Sequence, residues 1–248
     1  MSLWGDKMRK FATVISIILI IATVVGCVYL FGYYLPEREK EAEHDRLVRE
    51  YFAQKLATYE AENQTYADFE VDVAFLGDSL TDGYDLKAYY PQFKVANRGI
   101  GGETSFGLEQ RMQVSLYDLK PKVAVMLIGG NNLKTMFENY EKMLIGFKEN
   151  LPDTKIVLCS LTAMGGRFAE KNQIASYNNV IIKKLAEKYG FEFVDLYTPL
   201  FDVESGEIYA EYTSDGAHLT PLGYEVLTAA ITPVLTRLLE GENAQNDN

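Results

Sequence analysis

A serine, a histidine and an aspartate are spaced in this 248-residue chain so that together they could cleave an ester by nucleophilic attack. Ser79 follows the apolar segment 71–76, where a sharp turn would lead into a short helix. A serine hydroxyl is a weak nucleophile until a base removes its proton. His218 is the candidate base, because the other histidine, His44, lies in a highly charged segment. Asp215, three residues before His218, can fix the tautomer of the imidazole and stabilise its protonated form. The pattern therefore predicts a catalytic triad of Ser79, His218 and Asp215.

Four short blocks follow one another along the chain, and the serine and the histidine belong to the first and the last. The blocks are Gly-Asp-Ser-Leu at 77–80, Asn-Arg-Gly-Ile-Gly-Gly at 97–102, Gly-Gly-Asn-Asn at 129–132 and Asp-Gly-Ala-His at 215–218. A single block can occur by chance, but coincidence is a poor explanation for four in order over about 140 residues. Together they resemble the SGNH/GDSL hydrolases, in which a serine, a glycine, an asparagine and a histidine form one ester-hydrolysing site. The resemblance covers roughly residues 70–240.

This resemblance implies how the chain would stabilise the negatively charged oxygen of a reaction intermediate. By residue-to-residue match, the oxyanion donors would be the backbone N–H of Ser79, the backbone N–H of Gly102 and the side chain of Asn131. Glycine suits the second position because the backbone can approach the substrate there without a Cβ in the way. Removal of one such donor typically costs about 10²–10³ in rate. The family also implies an acyl-enzyme that water hydrolyses, with no metal ion and no organic cofactor.

The third block departs from the family pattern at its last position, where Asn132 stands in place of the usual aspartate. The substitution leaves Asn131 intact, so it puts in doubt only the loop hydrogen bond that the aspartate would make. A Gly-x-Asn-Asn block is similar to the platelet-activating-factor acetylhydrolase branch of the family, as are the segments 97–104 and 215–220. This branch is therefore the one that the motifs resemble most.

Several of these residues also have an ordinary structural interpretation. Ser79 could cap a helix, since serine is a favoured N-cap. Asn131 after two glycines could be a turn residue, and Gly99 or Gly101 could exchange roles with Gly102. The presence of all four blocks in order favours the catalytic interpretation at each position.

The segments between the blocks predict an α/β fold. Short apolar strands alternate with helical stretches of about 10–20 residues, which is typical of a parallel sheet covered by helices on both faces. The predicted strands are 71–76, 93–96, 123–128, 155–161 and 191–196, and the predicted helices are 104–114, 134–149, 172–189 and 221–239. This order predicts a three-layer α/β/α sandwich with a parallel five-stranded, flavodoxin-like sheet. Ligands bind at the carboxyl ends of the strands in such folds, and the first three blocks each follow a strand.

Residues 11–35 form a run of 25 residues without a charge. About 20 residues of helix cross the ~30 Å hydrocarbon layer, so this run predicts a transmembrane helix or signal anchor. Lys7, Arg9 and Lys10 precede it, which by the positive-inside rule leaves the N-terminus in the cytoplasm. The rival is a cleaved lipoprotein signal with Cys27 as the lipidated residue, but the apolar run continues beyond Cys27, which favours the uncleaved anchor. Both interpretations place the catalytic body outside the membrane.

The predicted domain organisation follows from these segments. It comprises a short cytoplasmic segment at 1–10, a transmembrane helix or signal anchor at 11–35, a helical stalk at 36–66, the hydrolase domain at 67–241 and a flexible tail at 242–248. Apolar residues in the stalk recur every three or four positions, as in an amphipathic helix. Cys27 lies in the membrane run and Cys159 in a predicted buried strand, so no disulfide is expected between them.

The charge of the chain restricts its partners. The net charge is −11, and because the first ten residues carry +2, the remainder carries −13. An acidic body argues against nucleic acid and against anionic membrane surfaces as partners. The expected partners are a small-molecule or glycan ester substrate and, through the N-terminal segment, the membrane. The oligomeric state stays open.

Three functions are compatible with these patterns. The leading hypothesis is a serine esterase that hydrolyses carboxylic esters through an acyl-enzyme, with acetyl esters on glycans outside the membrane as substrates. The second is a lysophospholipase or thioesterase that acts on longer acyl chains and needs a long apolar groove. The third, from another class, is a non-catalytic glycan-binding module, against which stand the retained Ser79, Asp215 and His218.

Overall fold

The computed structural model describes residues 3–246, which fall into two units that divide between Gln54 and Lys55. The N-terminal unit contains helix α1 (Leu3–Tyr29), a π-helical turn (Leu30–Tyr34) and the first part of helix α2 (Leu35–Asn63). The last nine residues of α2 belong to the second unit, which holds all the strands.

The N-terminal unit consists of a helical segment whose side chains are exposed from Trp4 to Leu35. Its apolar part is long enough to cross a membrane, as either a membrane anchor or a signal sequence would require. The hydroxyl groups of Thr13, Ser16 and Thr23 each donate to the carbonyl four residues earlier, at 2.9–3.0 Å. These bonds pair the polar groups that apolar surroundings would otherwise leave unsatisfied.

The second unit is built around a parallel sheet. Its five strands are β1 (Val73–Gly77), β2 (Val95–Gly99), β3 (Val123–Leu127), β4 (Lys155–Cys159) and β5 (Glu192–Val194). They lie in the flavodoxin-like order β2-β1-β3-β4-β5, and every neighbouring pair is parallel. The central strands β1 and β3 are continuous runs of buried residues because helices cover both faces. The predicted fold class is confirmed.

Helices on both faces complete the three-layer α/β/α sandwich. They are α3 (Ser79–Asp82), α4 (Leu86–Tyr89), α5 (Ser105–Gln110), α6 (Phe137–Asn150), α7 (Asn172–Tyr189) and α8 (Pro221–Asn246). On one face, α5, α6 and α7 share an apolar core with Leu76 and Met126. On the other face, α4 and α8 share a core with Phe75 and Val125. Neighbouring strand residues enter opposite cores because side chains alternate along a strand.

Some boundaries differ from the predicted ones. The helix predicted at 104–114 ends at Gln110, and a π-helical turn follows at Gln113–Tyr117. Between the two lies Arg111, whose side chain is buried and donates to backbone carbonyls of β1 and β2. A hairpin of β6 (Phe201–Asp202) and β7 (Glu207–Ile208) lies outside the predicted strands, because two residues are too few for an alternating pattern.

Helix α8 begins where the sequence predicts it. Thr220 is the N-cap, since its Oγ1 accepts the N–H of Gly223 at 3.3 Å, and Pro221 is the first helical residue. Proline loses no hydrogen bond there, because N–H groups of the first turn have no partner within the helix. The block at 215–218 ends two residues before this cap, so the start of α8 holds the end of that loop.

Candidate active site

Ser79 lies at the carboxyl end of β1 and is the first residue of helix α3. Asp78 caps this helix, with its Oδ1 accepting the N–H of Leu80 at 3.1 Å. Tyr224 donates its hydroxyl to the carbonyl of Leu80 at 2.9 Å, which ties α3 to α8. The serine hydroxyl therefore stands at the edge of the sheet where ligands bind in parallel α/β folds.

The three predicted triad residues form one hydrogen-bonded relay. His218 Nε2 lies 3.1 Å from Ser79 Oγ, and His218 Nδ1 lies 2.9 Å from Asp215 Oδ2. Asp215 Oδ1 accepts the N–H groups of His218 at 2.8 Å and of Ala217 at 2.9 Å. These donors, foremost the backbone N–H of His218, hold the pKa of Asp215 below its ordinary range, so the carboxylate stays charged. The geometry lets His218 accept the serine proton while Asp215 stabilises the resulting imidazolium.

The loop that carries the relay depends on Gly216. Its φ is +91°, a conformation that favours glycine, and a Cβ there would lie 2.1 Å from the carbonyl oxygen of Gly165. Gly165 donates its own N–H to the Gly216 carbonyl at 2.7 Å. The segment after β4 thus positions the histidine loop, together with the start of α8.

Two of the three predicted oxyanion donors, Ser79 and Asn131, line the same cavity as His218, whereas Gly102 lies outside its lining. Asn131 Nδ2 donates one hydrogen to the carbonyl of Glu103, the neighbour of Gly102, at 2.8 Å, and its second hydrogen has no acceptor among the described residues. Within residues 3–246, the N–H groups of Ser79 and Gly102 donate to no protein acceptor. Gly102 has a φ of +77°, which glycine adopts without strain.

A buried ion pair joins the first three blocks. Arg111 Nε donates to Glu103 Oε2 at 2.8 Å, and each side chain is only 4% exposed. The same guanidinium donates to the carbonyls of Arg98 at 3.0 Å and of Gly77 at 3.1 Å. Gly77 belongs to the first block and Arg98 to the second, while the carbonyl of Glu103 reaches Asn131 in the third. One side chain therefore fixes the relative positions of three segments of the site.

The last turns of α2 also hold the second block. Tyr59 donates its hydroxyl to the carbonyl of Gly99 at 2.6 Å. The buried guanidinium of Arg98 donates to Glu62 at 2.5 Å and to Asn63 at 3.0 Å, and it lies 4.7 Å from the centre of the Tyr59 ring. This part of α2 belongs to the second unit and supports the site from within it.

Asn132, the departure from the family pattern, forms two hydrogen bonds with Ser105. Its Oδ1 accepts the N–H of Ser105 at 3.2 Å, and its Nδ2 donates to Ser105 Oγ at 2.9 Å. Ser105 is the first residue of α5, so the third block remains bonded to the start of the helix that follows the second block. An asparagine side chain has both a donor and an acceptor, and this pair of bonds uses both.

A cavity of about 110 Å³ lies beside the relay. Its apolar lining is formed by Leu80, Leu127, Leu161, Met164 and Phe168. Pockets for drug-sized ligands measure about 300–1,000 Å³, so the space at the serine suits a small group.

Sequence reasoning misses part of this lining. Phe168 and Lys171 lie in a 3₁₀-helical segment after β4, and no motif or periodicity marks either residue. Two aromatic residues that follow β1, Tyr84 and Tyr90, lie outside the cavity lining. Tyr84 and Tyr90 are core residues, and Tyr84 stacks on Tyr224 with ring centroids 4.7 Å apart. These aromatic rings pack in the core beside α8.

Asp78 places a carboxyl group in the cavity lining while only 5% of the residue is exposed. Burial raises its pKa to about 6, against the opposing effect of the Leu80 N–H. The charge next to Ser79 therefore changes in the mildly acidic range.

The described residues contain no group of three or more His, Cys, Asp or Glu side chains placed to hold a metal ion. Cys27 and Cys159 are free thiols, so no disulfide joins them. Burial raises the pKa of Cys159 to about 12, which keeps this thiol protonated and a poor nucleophile.

Comparison with known proteins identifies related chains. A model of the GDSL-like lipase/acylhydrolase family matches residues 75–226, a range that contains all four blocks. The human platelet-activating factor acetylhydrolase IB subunit alpha1 is 28% identical over 193 residues, and the match covers 72% of this chain and 81% of that protein.

Solved structures share the fold. A GDSL-like lipase from Bacteroides thetaiotaomicron is 25% identical with a TM-score of 0.66, covering 73% of this chain and 97% of that one. An acetylxylan esterase from Geobacillus stearothermophilus is 20% identical with a TM-score of 0.57, covering 68% and 95%. Because the family match spans more than half of the sequence and includes the serine and histidine of the relay, this chain belongs to the GDSL-like lipase/acylhydrolase family.

Proposed function

We propose that this chain is a serine esterase that hydrolyses carboxylic esters through an acyl-enzyme. One observation carries the proposal: Ser79, His218 and Asp215 are joined by hydrogen bonds of 3.1 Å and 2.9 Å beside a cavity. A relay of this kind activates a serine hydroxyl, which has little nucleophilicity by itself.

In the first half of the reaction, His218 Nε2 accepts the proton of Ser79 Oγ as this oxygen attacks the ester carbonyl. The carbonyl oxygen becomes negatively charged, and the N–H groups of Ser79 and Gly102 stabilise it together with the second hydrogen of Asn131 Nδ2. Asp215 stabilises the imidazolium that forms. The alcohol then leaves with the proton from His218, and the acyl group remains on Ser79.

In the second half, water attacks the acyl-serine ester. His218 accepts a proton from the water, and the same donors stabilise the oxyanion again. The acid leaves, and Ser79 Oγ regains its proton from His218. Ester and water give acid and alcohol, with no metal ion or organic cofactor in any step.

We propose short acyl esters, above all acetyl esters, as the substrates. The cavity beside Ser79 supports this choice, because a volume of about 110 Å³ directly at the serine fits a short acyl group. The similarity to a protein named as an acetylhydrolase points the same way. A lysophospholipase or thioesterase would need a longer apolar groove at the serine.

We place the reaction outside the membrane. The apolar run 11–35 with Lys7, Arg9 and Lys10 before it supports an N-terminus in the cytoplasm and a body on the outer side, tethered through this run. Esterified glycans of the cell surface or the environment are then the accessible substrates. The alternative anchor, a lipid on Cys27, would leave the body on the same side.

The test is an initial-rate comparison on the full-length chain in detergent micelles. The substrates are the p-nitrophenyl esters of acetate, octanoate and palmitate, and the variant is Ser79→Ala. Ser176→Ala is the matched control, since Ser176 lies on the exposed face of α7 and its hydroxyl bonds only within the helix. We expect acetate hydrolysis that Ser79→Ala abolishes and Ser176→Ala leaves unchanged.

A preference for the octanoate or palmitate ester would overturn the short-chain proposal in favour of a lysophospholipase or thioesterase. No serine-dependent turnover on any ester would overturn the enzymatic proposal and favour a glycan-binding module.

A further inference from the structure

Two cavities meet at the candidate site. The one beside the relay measures about 110 Å³, and a second measures about 250 Å³ and is lined by the third block and the residues that follow it. Gly130, Asn131 and Lys171 line both. A substrate bound at Ser79 can therefore extend past Asn131 into the second space, and Lys171 stands where the two spaces join.

Lys171 differs from the paired lysines of the second unit. Lys94, Lys122 and Lys188 each form an ion pair with a carboxylate of the protein. Lys171 is half-buried, its ammonium lies 4.9 Å from the centre of the Phe168 ring, and it forms no ion pair within the described residues. Lys134, which lines the second cavity, is exposed and likewise forms no ion pair among them. Two lysines without an ion pair thus line the second cavity, and Lys171 also lines the cavity at the serine.

The acidic groups near the cavities accept hydrogen bonds from protein groups other than these two lysines. Asp215 is bonded to the relay histidine, Asp78 caps α3, and Glu207 accepts the N–H of Gly166 at 2.7 Å. In a chain of net charge −11, two unpaired lysines at one cavity are available to a ligand.

We propose that the ester substrate carries an anionic group, a carboxylate or a phosphate, which binds Lys171 and Lys134 where the two cavities join. The inference rests on the proposed ester hydrolysis and adds the charge of the substrate to it. The uncharged ester portion occupies the cavity at Ser79, and the anion lies beyond Asn131. Loss of one charge-assisted contact at a half-buried site lowers kcat/KM about tenfold.

The test uses the full-length chain in detergent and matched pairs of acetate esters. The anionic members are the 3- and 4-carboxyphenyl acetates and 4-acetoxyphenyl phosphate, and the neutral members are the two carboxamide analogues of the carboxyphenyl esters. The readout is the ratio of kcat/KM for an anionic ester to that for the neutral analogue of the same isomer. For the phosphate, 4-carbamoylphenyl acetate is the neutral reference. This ratio is compared between variants. The intrinsic difference in leaving-group reactivity is the same for every variant and therefore cancels.

The variants are Lys171→Met, Lys171→Arg and Lys183→Met. Lys183→Met removes the same charge from an exposed position on α7 and is the matched control. We expect Lys171→Met to lower the ratio about tenfold while Lys171→Arg and Lys183→Met keep it. We also expect added NaCl to lower the ratio in the wild-type chain. The carboxylate and phosphate arms show which anion is preferred.

An unchanged ratio in Lys171→Met for all the anionic esters would overturn the inference. An equal loss on anionic and neutral esters would overturn it as well, because it would show a structural role for Lys171. Failure of the proposed function gives a different result: the wild-type chain would show no Ser79-dependent hydrolysis of the neutral esters, and the inference would fall with it.

Discussion

The two sides of the candidate site are built in opposite ways. The histidine side is local and exposed: Asp215 and His218 are three residues apart, and their side chains are 37% and 53% exposed. The oxyanion side is buried and long-range. Arg111 and Glu103 are each 4% exposed, and Arg111 bonds the ends of both β1 and β2.

The side chains proposed to carry out the reaction are therefore exposed, whereas those that hold the segments of the site in place are buried. The exposed relay can lose a side chain at little cost to folding, because its groups are solvated when they are unpaired. The buried pair cannot, because removal of one partner leaves a charge without water or a counter-ion. Substitutions on the two sides should therefore differ in whether activity alone is lost or stability is lost with it.

The largest effect is expected from His218→Ala. Without a base for Ser79, kcat should fall at least about 10⁴-fold, while the free energy of unfolding changes by less than about 1 kcal/mol. Ester hydrolysis and urea unfolding of the full-length chain measure the two quantities. His44→Ala, the same substitution at the other histidine, should change neither. Retained activity in His218→Ala would refute the assigned base.

Arg111→Met should lower both kcat and the free energy of unfolding. Glu103 would be left as an unpaired buried charge, so we expect a loss of about 3–5 kcal/mol in the free energy of unfolding. We also expect a fall of about 10²-fold in kcat, because Asn131 is positioned through Glu103. Arg237→Met is the matched control, since its exposed pair with Glu192 should contribute less than about 1 kcal/mol.

If Arg111→Met does not fold, the milder Glu103→Gln serves instead. A full loss of activity with unchanged stability in either variant would remove the distinction between the two sides.

Asp78→Asn should change how stability depends on pH. The pKa of Asp78 is about 6 in the folded chain against an ordinary 3.8, so the folded state binds the proton more tightly. Wild-type stability from this group should therefore fall as pH rises from about 4 to about 6, by at most about 3 kcal/mol. In urea unfolding at pH 4, 5.5 and 7, the free energy of unfolding of Asp78→Asn should rise relative to that of the wild type as pH rises.

Asp202 offers a flat control for this experiment. Its pKa is lowered, foremost by the backbone N–H of Glu204, so its contribution to stability is lost only below about pH 4, and Asp202→Asn should differ from the wild type by a nearly constant amount between pH 5.5 and 7. A constant difference between Asp78→Asn and the wild type across this range would contradict the burial of a titrating carboxyl at the site.

The smallest effect is expected from Tyr59→Phe, which removes the hydrogen bond from α2 to the carbonyl of Gly99. We expect a loss of about 1 kcal/mol in the free energy of unfolding. Tyr177→Phe is the control, because Tyr177 is 66% exposed on α7. Equal unfolding curves for the two variants would show that this end of α2 adds no stability through that bond.

The exposed side of the site could be predicted from the sequence, because its information is local. The strand before Ser79, the glycine in the Asp215–His218 loop and the cap of α8 each lie within a few residues of the group that they position. Parallel strands also bring their carboxyl ends to one edge, so the strand before each of the first three blocks predicts that these three meet. That the histidine block joins them was implied by the family resemblance.

The buried side could not be predicted in the same way. Arg111 falls within a predicted helix, and its burial depends on carbonyls of strands that pair only in the folded chain. Phe168 and Lys171 reach the cavity through the course of the segment after β4, which has no periodic pattern. Contacts between distant segments leave no mark in local spacing.

The central claim is that Ser79, activated by His218, is the nucleophile. The most direct measurement is peptide mass spectrometry of the full-length chain after reaction with diethyl p-nitrophenyl phosphate, which phosphorylates activated serines. We expect one diethylphosphoryl group per chain, on the peptide that contains Ser79, with labelling absent in Ser79→Ala and strongly slowed in His218→Ala. A label on another residue, or equal labelling rates in the wild type and His218→Ala, would contradict it.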